Sequence, residues 1–245
     1  IGGLVYNSNS SNIVNNINKS NYKLNNEANL TVGGIIGIAE NSIINNNNNY
    51  GNLNISGNNL YIGGIIGKDD NGNNISNNYN YGYISGSGNN NLGGIVGYID
   101  SDIKNSHNYG IVRSTGTIDS HNNQGGIAGY MNGSLNQSNN YNNVIMANNS
   151  KNDNNNLGGL VGYITDNQKI TNSSNSGNLI EGSSNNIGGI AGYMGNNGII
   201  TNCYSESNIK INGETHDGNI GGVLGICGLY CLIDGNHNSG NITIT

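Results

Sequence analysis

The chain has 245 residues, of which 33% are hydrophobic and only 9% charged, with 41 glycines and no proline, tryptophan or phenylalanine. Its formal net charge is -6, and its eight basic residues form no stripe able to neutralise phosphates, which argues against a nucleic-acid partner. No run of 18 apolar residues is present, so the sequence predicts no membrane span.

A Gly-Gly pair recurs along the whole chain at intervals of 30 to 33 residues. The first glycine of each pair is Gly2, Gly33, Gly63, Gly93, Gly125, Gly158, Gly188 or Gly221. A fixed period in this range is typical of repeat architectures. We therefore predict a single repeat domain over 1–245 with eight repeats, belonging either to a longer chain or to the protomer of a filament.

Within one repeat, three short apolar segments follow each other in chain order, for example 93–98, 103–106 and 110–112. Glycine and asparagine flank each segment, which argues against helices and favours strands. Three strands per period, stacked on their equivalents in the next period, predict an all-β fold, a parallel β-solenoid of about eight coils. At a strand spacing of about 4.8 Å, the rod would be about 40 Å long.

Three aliphatic columns are predicted to line one narrow core. The first is the pair after each Gly-Gly, of which one member is expected to point inward. The second column comprises Val14, Ile44, Ile75, Ile103, Leu135, Ile170, Ile200 and Ile233. The third comprises Leu53, Ile84, Val112, Val144, Leu179, Ile209 and Ile242.

A turn lies between the second and third columns, at Asn21, Gly51, Gly82, Gly110, Asn142, Gly177, Ser207 and Gly240. Glycine and asparagine tolerate positive φ best, so we expect positive φ there. The spacing from this turn to the next Gly-Gly varies more than the rest of the repeat, which predicts an outward loop.

Asparagines form two further columns, in which stacked amides can hydrogen-bond from coil to coil. The outer candidates are Asn16, Asn46, Asn77, Asn105, Gln137, Asn172 and Asn202, and the second set is Asn49, Asn80, Asn108, Asn140, Asn175 and Asn238. Tyrosines form two columns as well, Tyr50, Tyr81, Tyr109 and Tyr141, and Tyr98, Tyr130, Tyr163 and Tyr193. These tyrosines are interpreted either as packing ladders that fix register or as a face on which sugars stack.

The unit GGIVGYIDSDIKNSHNYGIV at 93–112 resembles the GLUG repeat found in bacterial surface proteins and some immunoglobulin A proteases. Asparagine and tyrosine replace the more usual Ala-Thr, and the first repeat departs further, with Tyr6 in place of the last glycine. The resemblance implies a non-catalytic, surface-exposed solenoid. It brings no catalytic residue, and no His-Glu-x-x-His motif is present.

Residues suited to chemistry are few in this sequence. His107, His121, His216 and His237 occupy different points of the repeat, which favours polar surface or loop histidines over metal ligands. Cys227 and Cys231 could close a small disulfide, which leaves Cys203 unpaired, or all three could be inert thiols.

Acidic residues cluster in three consecutive repeats, at Glu40, Asp69, Asp70, Asp100 and Asp102. Carboxylates one strand spacing apart repel each other unless they face water or share a hard cation. The cluster is therefore interpreted either as a Ca²⁺ site or as a solvated loop with Lys68 and Lys104 as partial counter-ions. No other cofactor is predicted.

We expect a non-catalytic structural module of an extracellular or cell-surface protein, either a stalk or adhesin segment or a filament built by end-to-end stacking. Its partners would be further copies, head to tail, or adjoining domains of a longer protein. One alternative is glycan binding through the tyrosine columns. The other is a polysaccharide-acting β-helix enzyme, which would need carboxylates clustered in a groove.

Overall fold

The computed structural model describes residues 1–25, 28–115, 122–146, 155–181, 186–211 and 218–244, and these contain strands and no helix. The strands form a parallel β-solenoid, which confirms the predicted fold class. The chain enters the first sheet eight times, so it makes about seven full turns. Each coil contributes to four sheets, numbered 1 to 4 in the order in which the chain visits them.

Sheets 1 and 2 contain eight strands each. Sheet 1 consists of Val5–Asn9, Ile36–Glu40, Ile66–Asp69, Val96–Ile99, Ala128–Met131, Val161–Ile164, Ala191–Met194 and Leu224–Cys227. Sheet 2 consists of Asn12–Val14, Ile43–Asn45, Asn74–Ser76, Ile103–Lys104, Leu135–Asn136, Lys169–Thr171, Ile199–Thr201 and Leu232–Asp234.

Sheet 3 contains eight two-residue strands and sheet 4 contains thirteen strands. Sheet 3 consists of Ile17–Asn18, Asn48–Asn49, Tyr79–Asn80, His107–Asn108, Asn139–Asn140, Ser174–Asn175, Tyr204–Ser205 and His237–Asn238. Sheet 4 consists of Tyr22–Asn25, Leu30–Gly33, Leu53–Gly63, Ile84–Gly93, Val112–Ser114, Asn123–Gly125, Val144–Met146, Asn156–Gly158, Leu179–Glu181, Asn186–Gly188, Ile209–Ile211, Asn219–Gly221 and Ile242–Ile244.

The coil therefore has more strands than the three predicted from apolar segments. Sheet 3 is made mostly of polar residues, and sheet 4 also includes the residues just before each Gly-Gly from the second pair onward. The variable connection is one continuous strand in Leu53–Gly63 and Ile84–Gly93. In most other repeats it includes residues outside the described ranges.

The interior is divided into two apolar cores, where one was predicted. The first core contains both members of the aliphatic pair, such as Ile95 and Val96, together with the second column. Both members are buried because the chain bends between the Gly-Gly corner and the strand. The alternation of inward and outward side chains, which holds along a straight strand, does not apply at this bend. The third column lies in the second core, between the outgoing and returning parts of sheet 4, where Val112 packs with Leu92.

The Gly-Gly corner is occupied by glycine because the backbone of the same or the next coil fills the space of a side chain. A Cβ on Gly93 would lie 2.0 Å from the carbonyl oxygen of Val96. A Cβ on Gly94 would lie 2.2 Å from the carbonyl oxygen of Gly126 and 2.3 Å from Cγ of Asn108. The Gly-Gly pair thus allows a tight bend that packs directly on the Gly-Gly corner of the next coil.

Positive φ occurs at a different column from the one predicted. The turn positions are glycine because the backbone of the preceding coil passes close to them. A Cβ on Gly82 would lie 2.0 Å from the carbonyl oxygen of Gly51. Left-handed residues lie at the corner between sheets 1 and 2, such as Asn41 with φ of 49°, and along the outer amide column, with φ of 56° at Asn46 and 55° at Asn77. Asparagine tolerates this region better than most side chains, which explains its recurrence at this corner.

The first coil is offset by one residue from the predicted alignment. Ile13, and not Val14, pairs with Ile44, and a Cβ on Gly51 would contact the carbonyl oxygen of Ser20, not Asn21. The spacing to the second coil is 31 residues from Gly2 to Asn25 and 30 residues at Leu30, so the extra residue of the first coil lies between Asn25 and Leu30. Asn15, and not Asn16, therefore takes the position of Asn46 in the outer amide column, with positive φ.

Candidate functional site

A ladder of buried asparagine amides runs along the rod where sheet 3 ends. It comprises Asn18, Asn49, Asn80, Asn108, Asn140 and Asn175, and we call it the buried ladder. Each Nδ2 donates to Oδ1 of the asparagine in the next coil at 2.8–2.9 Å. Each side-chain amide from Asn49 to Asn175 also donates to the carbonyl oxygen two residues further along the chain. The backbone amide of that same residue donates back to Oδ1 of Asn49, Asn80, Asn108 and Asn175. The ladder ends where Ser205 takes the position after Asn175.

The outer amide column is less regular because its residues lie at an exposed, left-handed corner. Asn46 donates to Asn15 at 2.7 Å, and Asn105 donates to Asn77. Asn172 and Asn202 share the positive φ of this corner. This column therefore shapes the bend between sheets 2 and 3.

A third polar column, which sequence reasoning missed, lies just inside that corner. It comprises Asn47, Asn78, Ser106, Ser138, Ser173, Cys203 and Asn236. Asn47 accepts from the backbone amide of Asn16 and donates to the carbonyl oxygen of Ile13. Ser106 accepts from the amide of Asn78 in the same way. These side chains satisfy corner amides that the sheets leave unpaired.

Both tyrosine columns are stacks of nearly parallel rings. Centroids are 4.7–5.0 Å apart in the column of Tyr50, Tyr81, Tyr109 and Tyr141. They are 4.5–5.0 Å apart in the column of Tyr98, Tyr130, Tyr163 and Tyr193. This spacing leaves no room for a sugar between two rings, so only ring edges and hydroxyl groups face outward. The prediction that sugars stack on these faces does not fit that geometry.

The two tyrosine columns have different surroundings. The column of Tyr50 is exposed, with 37–47% of each side chain accessible. The column of Tyr98 is half-buried and forms one wall of a groove of about 600 Å³. Tyr61 lies in the same groove, with its ring edge-on to Tyr98 at 5.5 Å. Burial, with Asp100 nearby, raises the pKa of Tyr98 to about 12, so its hydroxyl stays protonated.

The opposite wall of this groove belongs to a second amide ladder, here called the groove ladder, made of Asn91, Asn123, Asn156, Asn186 and Asn219, of which the first four line the groove. Each Nδ2 from Asn123 onward donates to Oδ1 of the preceding coil at 2.8–2.9 Å. Sequence reasoning missed it, although an asparagine two residues before each of the last five Gly-Gly pairs was a visible signal.

The acidic residues predicted to bind calcium are not gathered around one point. Asp69 points inward and accepts from the amide of Asp100 at 2.9 Å, and Asp70 pairs with Lys68. Glu40, Asp100 and Asp102 each accept from a different side chain or amide on a neighbouring coil. Within the described ranges, no three side chains of His, Cys, Asp or Glu are placed to hold a metal ion. Four of these five carboxylates make coil-to-coil hydrogen bonds.

The histidines and cysteines are likewise dispersed. His107 packs against the ring of Tyr79 at 5.5 Å, and burial lowers its pKa. His121 and His216 lie outside the described residues. Cys203 is buried in the third polar column, and burial raises the pKa of its thiol to about 11. Cys227 and Cys231 are free thiols in the last coil.

Comparison with known proteins supports the resemblance seen in the sequence. The family model of the GLUG motif matches residues 153–180 and 183–210, two consecutive coils. No curated protein and no solved structure matches the chain. Among the residues that the structure describes, no helix is long and apolar enough to cross a membrane. The two matched copies lie in a solenoid whose other coils repeat with the same period.

Proposed function

We propose that this solenoid is a non-catalytic structural module of an extracellular or cell-surface protein, a rod that acts as a stalk or adhesin segment. The observation that carries the proposal is the coil-to-coil continuity of its hydrogen bonds. The buried ladder links six successive coils through side chains alone. Backbone pairing links every coil to the next. Such a one-dimensional stack keeps its two ends at a fixed separation.

The spacer role can be tested by changing the number of coils. Deleting 63–92 removes one period and leaves the remaining Gly-Gly corners in order. We expect a folded rod that is shorter by about 4.8 Å, measured by small-angle X-ray scattering. A collapsed or unfolded product would contradict the proposal of an independent stack of coils. Labelling of intact cells of the source organism with an antibody against the rod tests the surface location.

A filament built from copies of this chain is the second candidate. In the last coil, Leu232, Ile242 and Ile244 are 50%, 46% and 59% exposed. Apolar strand edges recruit further strands. A coil of matching geometry would cover these side chains, whether it belongs to adjoining residues or to a second copy. Electron microscopy of the native material distinguishes the two, because only the filament gives continuous rods of stacked copies.

A further inference from the structure

We propose that the groove between the tyrosine column of Tyr98 and the groove ladder binds a neutral, extended, β-linked hexose polymer that lies parallel to the rod axis. The groove has a volume of about 600 Å³ and is lined by tyrosine and asparagine side chains. This binding is separate from the structural role, since a rod can hold its ends apart with the groove empty or filled.

The direction of the ligand follows from the direction of the walls. Four tyrosines, Tyr98, Tyr130, Tyr163 and Tyr193, repeat at centroid spacings of 5.0, 5.0 and 4.5 Å along the axis. Four asparagines from Asn91 to Asn186 face them from the other wall. A linear polymer with about one residue per coil can therefore repeat the same contacts from coil to coil. A peptide strand would pair with strand edges at the ends of the rod and not cross the coils.

The chemical class of the ligand follows from the lining. Tyrosine hydroxyls and primary amides both donate and accept hydrogen bonds, as sugar hydroxyls do. Burial raises the pKa of Tyr130 and Tyr163, which keeps these hydroxyls protonated. Asp100 and Asp166 lie near the tyrosine wall, where they raise the pKa of Tyr98 and Tyr163. Their charge disfavours uronic-acid polymers, although Lys68 lies 5.8 Å from the ring of Tyr98 at one end.

The mode of contact differs from ordinary sugar stacking. The ring faces are covered by neighbouring rings, so the ligand meets ring edges and hydroxyl groups on one side and amides on the other. A ribbon-shaped glycan carries hydroxyl groups along both edges and can therefore form hydrogen bonds with both walls of the groove at once. The other tyrosine column has the same stacking but stands exposed, with Tyr81 40% and Tyr109 37% accessible.

Isothermal titration of the full chain with cellohexaose and chitohexaose tests the inference. The test variant is Tyr130→Phe with Tyr163→Phe, which removes two groove hydroxyls and keeps the ring stacks. The matched control is Tyr81→Phe with Tyr109→Phe, the same change in the exposed column. Circular dichroism and melting temperature establish that both variants are folded.

We expect saturable binding of at least one of the two oligosaccharides and weaker binding of its disaccharide. The groove variant should lose about tenfold in affinity, as expected for two hydrogen bonds of ordinary net strength, and the control should change less than about twofold. Absence of binding by both probes would overturn the inference. Equal losses in both variants would also overturn it, as would tighter binding of an oligogalacturonate. None of these results would change the rod length on which the structural proposal rests.

Discussion

Replacing Asn108 with alanine tests whether the buried ladder holds the coils together. Asn108 is fully buried, in the middle of the ladder. Its Nδ2 donates to the carbonyl oxygen of Gly110 at 2.7 Å and to Oδ1 of Asn140 at 2.8 Å. Its Oδ1 accepts from Nδ2 of Asn80 at 2.8 Å and from the amide of Gly110 at 3.2 Å.

The expected cost follows from these four hydrogen bonds. Each contributes about 1 kcal/mol net, and its loss leaves a buried partner without a replacement. We therefore expect Asn108→Ala to lower the free energy of unfolding by about 4 kcal/mol. The matched control is Asn54→Ala, because Asn54 is an exposed strand residue of sheet 4. Its replacement should change stability by less than about 0.5 kcal/mol.

Urea unfolding followed by circular dichroism measures the two changes. Because repeat arrays can open locally, hydrogen exchange should accompany it. The amide of Gly110 should lose protection first, since its acceptor is removed. If Asn108→Ala were as stable as Asn54→Ala, and Gly110 stayed protected, the ladder would not contribute to cohesion and the reasoning would be refuted.

Four further results are expected. Gly94→Ala should cost at least about 3 kcal/mol in thermal unfolding, because its Cβ would meet backbone 2.2 Å away. A thiol reagent should modify Cys227 in the folded chain and Cys203 only after unfolding, since Cys203 is buried and its pKa is about 11. Burial raises the pKa of Asp69 above 3.8, so the folded state holds its proton more tightly, and wild type should gain stability relative to Asp69→Asn as the pH falls toward 3.8. The melting temperature should be the same with calcium and with chelator.

Each of these has a result that would contradict it. A normal melting temperature for Gly94→Ala would mean that the corner can open to admit a methyl group. Labelling of Cys203 at the rate of Cys227 would show that the third polar column is accessible. A loss of stability of wild type relative to Asp69→Asn on acidification would reverse the assigned direction of the Asp69 pKa shift. A calcium-dependent rise in melting temperature would mean that the carboxylates rearrange around the ion.

Periodicity alone was enough to predict the fold, because each inward column repeats one residue type in every coil. Ile75, Ile103 and Leu135 occupy one column in the sequence, and they pair directly in the structure. The prediction of three strands failed for a physical reason. Apolar runs reveal strands that face a core, whereas His107–Asn108 forms a strand whose inward residue is an amide.

The polar interior could not be read from hydrophobicity. Asn78 and Ser106 look like surface residues, yet both are fully buried because they bond the corner amides. The sequence signal for the burial of this third polar column was its restriction to small side chains, most of them polar. The groove was missed because it needs two columns, Tyr98 and Asn91, which lie seven residues apart in sequence and face each other only across the glycine corner.

The two amide ladders point in opposite directions along the rod. In the buried ladder the donor precedes its acceptor in the chain, as from Asn80 to Asn108. In the groove ladder the donor follows its acceptor, as from Asn123 to Asn91. Aligned amide dipoles add up along an axis, as they do in a helix. Where the two ladders run side by side their dipoles oppose each other, so lengthening such a rod by further coils would not accumulate charge of opposite sign at its two ends.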